Sequence, residues 1–224
     1  VPAVDIRKTA IERNPFLGLF LRASDSVLLA PPNLPQKVRE AAEAALRVTT
    51  TRLLIHQSNL LGVYTCLNSH GALLPEFAED AEVRLLKGLG LNVVRLDSRW
   101  GAVGNNVLAN DRAALVNPDL PADQAQQVAD ALGVEVEQAP VSGLKTVGAV
   151  NVVTNKGLLA YNHTTEVELK RLESLFKVKG SVGSANMGVP FVGICAVANS
   201  RGALLGELSS GFEVQRAYQA LSGE

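Results

Sequence analysis

The sequence predicts an α/β chain made of five tandem copies of one ββαβ unit, wrapped into a closed five-bladed ring. Three observations predict it. One phrase recurs as ASDSVLLAP (23–31), CLNSHGALLP (66–75), LANDRAALVN (108–117), VTNKGLLAYN (153–162) and VANSRGALLG (197–206). A glycine precedes each copy, at Gly18, Gly62, Gly104, Gly148 and Gly193, and successive glycines stand 42 to 45 residues apart. That is the period of a repeat architecture, in which each unit buries its apolar face against its neighbours. Finally, the fifth copy stops at its helix, while DIRKTAI (5–11) is strand-like and belongs to no unit. Pairing these two completes the fifth unit, closes the ring and leaves no open seam.

Each element of the unit has its own signal. After the glycine come about five residues rich in Val, Leu and Ala, such as VYTCL (63–67) and ICAVA (194–198), which suit a strand covered on both faces. Asn68-Ser69-His70-Gly71 and Asn199-Ser200-Arg201-Gly202 read as turns opened by Asn, with Gly supplying a positive φ at the last position. Val27 and Ala113 replace that Gly in two copies, so an altered or strained turn is expected there. A short second strand follows (72–75, 114–117), and the apolar period then moves toward 3.6. Helices are expected at 35–47, 76–90, 121–133, 165–177 and 212–222. Pro35 and Pro121 fit their opening turns, and Thr165/Glu168 and Ser210/Glu213 have capping-box spacing. Third strands are expected at 52–57, 92–97, 134–139 and 180–185. With no linker or low-complexity stretch, residues 1–224 read as a single domain whose repeats begin near 14, 58, 101, 144 and 188.

Composition narrows the function classes. Of 224 residues 47% are hydrophobic and 19% charged, and 21 Lys+Arg against 22 Asp+Glu leave a net charge of −1. A globular chain of this size buries on the order of 70% of its unfolded surface and needs no staples. A protein gripping a phosphate backbone through many contacts carries a basic excess, so nucleic-acid binding is not expected to dominate. No apolar run approaches the roughly 18 residues that span a bilayer, and VPAVDIRKTAIERNP (1–15) lacks a signal-type apolar stretch. No membrane partner and a cytoplasmic location are expected. The sequon at Asn162-His163-Thr164 is then incidental, and Cys66 and Cys195, inside apolar runs, read as buried thiols. A ring without free edges needs no second copy, so a monomer is expected.

The repeat is its own control for functional residues. One step past the glycine stand Leu19, Val63, Asn105, Ala149 and Ile194; two steps past stand Phe20, Tyr64, Asn106, Val150 and Cys195. Only the third unit is polar at both. A break in the local rule marks a functional site, although Asn also serves local backbone bonding at a strand start. Metal binding finds little support: His56, Cys66 and His70 fall on a strand, a strand and a turn, whereas zinc wants four converging ligands, and His163 precedes a helix. GLGLNV (88–93) lacks phosphate-loop spacing, so no cofactor is expected. The stripe of Val167, Leu169, Leu172, Leu175 and Phe176 reads as a helix face on the sheet.

At this point the five-fold ββαβ unit resembles the pentein, or β-α propeller, fold. AVGNNVLANDRAALVNPDL (102–120), VTNKGLL (153–159), TTEVELKRLESLF (164–176) and VGICAVANSRGALLG (192–206) look like the translation initiation factor six family of archaea and eukaryotes. The resemblance implies a non-enzymatic factor that binds the large ribosomal subunit and prevents premature joining of the small one, with a role in large-subunit maturation. It implies contact with ribosomal protein fourteen of that subunit, near the sarcin-ricin loop. It carries a ribosome-facing asparagine onto Asn105, beside Gly104 and Asn106, and places Leu19, Val63 and Ala149 at the same end of the ring. Val63 departs from the polar or basic residue that family members can carry there. The rival reading is a guanidino-modifying hydrolase or transferase of the same fold, which needs an exposed, activated Cys beside a base. Cys66 and Cys195 lack that setting, and no catalytic residue is assigned.

Overall fold

The computed structural model describes residues 3–223. Five three-stranded sheets carry the repeat. The first joins Arg22–Ala23, Val27–Ala30 and Thr49–Arg52; the second Cys66–Leu67, Gly71–Pro75 and Asn92–Leu96; the third Val107–Ala109, Ala113–Val116 and Glu135–Gln138. The fourth joins Val152–Val153, Gly157–Tyr161 and Lys179–Gly183. In each, the inner and middle strands form an antiparallel hairpin and the outer strand runs parallel to the middle one. Parallel return needs a crossover. Gln36–Leu46, Asp80–Gly88, Ala122–Leu132 and Glu166–Phe176 supply it. The fifth sheet pairs Ala196–Asn199 with Gly202–Gly206 and takes its outer strand from the other end of the chain: Asp5–Thr9 lies parallel to Gly202–Gly206, Asp5 opposite Gly202 and Thr9 opposite Gly206. The N-terminal segment therefore completes the last unit.

The hairpins form because the opening side chain of the phrase does three jobs at once. Asn68 Oδ1 accepts the N–H groups of His70 and Gly71, both at 2.9 Å, so the turn is closed locally. Its Nδ2 donates to Asn110 O at 3.1 Å and Leu132 O at 2.8 Å in the following unit. Asn110 and Asn199 repeat the pattern, the latter reaching Ser24 O and Leu46 O in the first unit. Buried amides that satisfy both their own turn and a neighbour's carbonyls couple the turn to the docking of units.

Several expectations are corrected. Gly71 and Gly202 do not have positive φ. They are glycine because a Cβ there would overlap the carbonyl oxygens of Ala131 and Ala45, at the ends of neighbouring long helices. Ala113 strains nothing either, since Asn110 Oδ1 accepts Arg112 N at 2.9 Å and Ala113 N at 3.0 Å just as Asn68 does. The outer strand of the first unit is Thr49–Arg52 rather than 52–57. Leu53 and Ile55 are buried after the strand has ended, so the apolar run there reports burial and not pairing. The second long helix starts at Asp80 and not at 76, because Glu79 caps it and exchanges bonds with Glu82. Pro35 and Pro121 stand just ahead of their helices. The boxes at Thr165/Glu168 and Ser210/Glu213 form as spaced.

Each apolar cluster fills one unit and reaches into its neighbour. One apolar cluster joins Leu17, Leu28, Val38 and Leu46 of the first unit to Val197 and Leu204 of the fifth. Another joins Val27 and Leu29 to Leu61, Leu74 and Leu86 of the second. Middle strands are buried along almost their whole length, as strands covered on both faces must be. Among the described residues no helix is long and apolar enough to cross a membrane.

Candidate functional site

The repeated glycines do not lead straight into strands. Each is the second residue of a single helical turn: Leu17–Phe20, Leu61–Tyr64, Val103–Asn106, Val147–Val150 and Val192–Cys195. The reason is tertiary. A Cβ on Gly62 would overlap Gly18 O, one on Gly104 would overlap Gly62 O, one on Gly148 Gly104 O, one on Gly193 Gly148 O, and one on Gly18 Gly193 O. Each turn therefore sits backbone to backbone on the turn of the unit before it, and the first sits on the last. No residue with a side chain fits that approach.

The positions one step past these glycines share one exposure class. Leu19, Val63, Asn105, Ala149 and Ile194 are all half-buried at the glycine end, while Gly104 itself is buried. The predicted residues Leu19, Val63, Asn105 and Ala149 are thus brought to one end, in corresponding turns. Exposed apolar groups flank them. Phe77 stacks edge-on against Tyr64 at 5.4 Å, and Phe191, 37% exposed, directly precedes the fifth turn with Met187 nearby at 78%.

Asn105 and Asn106 part company. Asn106 is buried; its Nδ2 donates to Ala102 O at 3.1 Å and its Oδ1 accepts Asn117 Nδ2 at 2.9 Å. It adds a side-chain donor to the carbonyl that opens its own helical turn and already accepts Asn105 N and Asn106 N, as Thr65 does at Leu61 O at 2.6 Å and Asn151 at Val147 O at 2.9 Å. The local-bonding reading is right for Asn106. Asn105 is half-exposed, and among the described residues no hydrogen bond uses its side chain.

Neither thiol is set up as a nucleophile. Burial pushes Cys66 up to about 11, the Arg22 charge opposing it. Cys195 lies in a helical turn rather than a strand, and burial pushes it up to about 12, with a hydrogen bond from Asn186 opposing and the Glu213 charge adding. A nucleophilic cysteine needs its pKa lowered. His56 and His163 stack on Phe77 and Tyr161. Among the described residues, no three His, Cys, Asp or Glu side chains converge as metal ligands.

Residues 6–220 match the family model described as the eIF-6 family. The chain belongs to the eIF-6 family. It is 39% identical over 222 residues to translation initiation factor 6 of Pyrococcus horikoshii, covering 96% of this chain and 98% of that one. It is 38% identical to translation initiation factor 6 of Pyrobaculum aerophilum, with 92% and 93% covered. The protein of the same name from Thermoplasma acidophilum is 33% identical, with 97% and 100% covered. Membership in the eIF-6 family places this chain among translation initiation factors. The matched span reaches from the N-terminal strand to the last helix, so family membership embraces all five units.

Two groups escaped the sequence reading. Arg22 stands where the other units have Cys66, Leu108, Val152 and Val197, a departure as plain as Asn105 but masked by the worn first copy. At the opposite end from the glycines, Asp25 and Asp111 accept from Ser200 and Ser69, and Asn155 Nδ2 donates to both at 2.9 and 2.6 Å. Their signal is a polar residue in the second place of every hairpin turn: Asp25, Ser69, Asp111, Asn155 and Ser200.

Proposed function

We propose that the protein binds the large ribosomal subunit through its glycine end and so blocks premature joining of the small subunit. The observation that carries this is Asn105: it is the one polar side chain among five corresponding, half-exposed positions, and it is left uncommitted while its neighbour Asn106 is spent on the fold. Leu19, Val63 and Ala149 border it, beside the exposed Phe77 and Phe191. An apolar surface with one uncommitted amide suits a protein partner, and protein fourteen of the large subunit, near the sarcin-ricin loop, is the proposed contact. Net charge near zero agrees with docking by shape rather than by counterion release. Binding acts by mass action, withdrawing free subunits from the joining equilibrium. The same cover would mask that face during subunit maturation.

The supporting architecture is a closed five-bladed propeller of the pentein type, one domain over residues 1–224, acting as a cytoplasmic monomer without cofactor. Its support is the unbroken order of turn-on-turn contacts, ending with Gly18 on Gly193, and the outer strand that Asp5–Thr9 lends to the fifth sheet. Such closure holds the five turns rigid, and rigid presentation favours affinity.

Asn105→Lys tests the reading by sedimentation with purified large subunits. An interface-centre residue of this kind should weaken co-sedimentation by about ten-fold or more. A half-exposed substitution without local bonds leaves stability within about 0.5 kcal/mol. Unchanged co-sedimentation, together with unchanged inhibition of subunit joining, removes the glycine end from the interface.

A further inference from the structure

All five inner strands line one central cavity of about 40 Å³, among them Ala23, Leu67, Leu108, Val152 and Val197. Among the described residues, Arg22 alone brings a charge to its wall. Its Nη2 donates to Gly62 O and, at 3.2 Å, to Gly104 O, while its buried Nε has no acceptor. Among the described residues, none of the ion pairs includes Arg22. Asp25 and Asp111 line an adjoining smaller cavity and are engaged there by Ser200, Ser69 and Asn155.

Four of the five equivalent positions show that the fold wants an apolar side chain here. Arg22 is half-buried with its Nε sealed from solvent, so it sets a full charge in the cavity wall, and a guanidinium does not escape by losing its proton. Burial does lower its pKa, with Cys66 opposing, which is the mark of a cation held without an anionic partner. Carbonyl oxygens at Nη2 satisfy one nitrogen and neutralise nothing. An interior charge without a counter-charge is costly, and the cavity has room for one.

We propose that the central cavity is a binding site for a single small monovalent anion, of halide size, held against the Arg22 guanidinium. Size and charge set the class. The cavity takes only a small ion, and one monovalent anion neutralises one guanidinium. Each inner strand pairs only with its own middle strand and lines the cavity. The bound ion would fix the guanidinium that ties the second and third glycine turns together. This inference rests on the interior alone and stands or falls independently of ribosome binding.

The full chain, crystallised and soaked in sodium bromide, tests it by anomalous scattering at the bromine edge. A bromide peak in the cavity beside Arg22 is expected; a cavity that scatters only as water overturns the proposal. Thermal midpoints give a second arm. At about 0.2 M and equal ionic strength, chloride or bromide should raise the midpoint over gluconate, which cannot enter, by about 4–7 °C if the salt is roughly twenty-fold above the Kd of the site. Arg22→Leu, which restores the residue type of the other units, should abolish that halide difference. A difference that persists unchanged in the variant removes Arg22 from the site. Should the variant fail to fold, the bromide map of the parent chain decides alone.

Discussion

Gly62→Ala should cost far more than a methyl group normally does. The added Cβ would overlap Gly18 O and approach Leu21 O at 2.9 Å, and both are backbone atoms of the preceding unit. Neither can turn aside as a side chain would, so relief requires two units to move apart along an interface that buries Leu29, Leu61 and Leu74. Overpacking costs about 1–3 kcal/mol in ordinary cores, and a rigid obstacle puts this case at the upper end, near 3 kcal/mol. For a chain of this length about 2–4 °C of midpoint is lost per kcal/mol, so a fall of roughly 6–12 °C is expected by circular dichroism. Gly211→Ala is the control. It occupies the first turn of the last helix with nothing within 4 Å of the new Cβ, and it should stabilise by about 0.4–1 kcal/mol. A Gly62→Ala midpoint within about 1 °C of the parent would refute the turn-on-turn packing and the reason given for the repeated glycine.

Two further outcomes follow from the same geometry. Burial opposes ionisation of Glu213, but hydrogen bonds from Ser210, Gly188 and Ser184 outweigh it and leave the carboxyl below its ordinary value; Glu168 is held low in the same way by Ser142 and Thr165. A lowered folded pKa gives stability that is present above the unfolded value of about 4.3 and lost as pH falls through the folded one, so Glu213→Gln should lose about 1–2 kcal/mol at pH 7 and show a flatter acid limb in urea titrations; parallel acid limbs would contradict this. Deleting residues 1–9 exposes the edge of Gly202–Gly206 and the surface under Val4 and Ile6; broadened melting and concentration-dependent association in sedimentation velocity are expected, relieved by a peptide of residues 3–11, and an unchanged monomeric profile would argue against the strand exchange.

How far the site could be read in advance differs residue by residue. Asn105 and Asn106 were equally conspicuous, because comparison among repeats detects departure from a rule without saying what the departure is for. Only the partners separate them: Asn117 lies eleven positions on and binds Asn106. Arg22 broke the same kind of rule, yet its meaning depends on a cavity whose walls come from all five units. The repeat count, the long helices and the fifth unit's missing strand were plain because period, apolar spacing and caps are written within a few neighbouring residues.

By itself, then, the sequence determined the five-fold ββαβ repeat, the hairpin-opening asparagines, the two Ser/Thr capping boxes and the pairing of Asp5–Thr9 with the last unit. Tertiary structure alone decided that the glycines lie in helical turns, that Gly71 and Gly202 answer to a neighbouring carbonyl and not to φ, and that Thr49–Arg52 outranks the more apolar residues after it as a strand. The physical reason is range. A turn or a cap is satisfied by atoms three or four residues away, whereas the clearance at a Cα is set by a backbone 40 or more residues distant in the chain, as Gly62 on Gly18 illustrates.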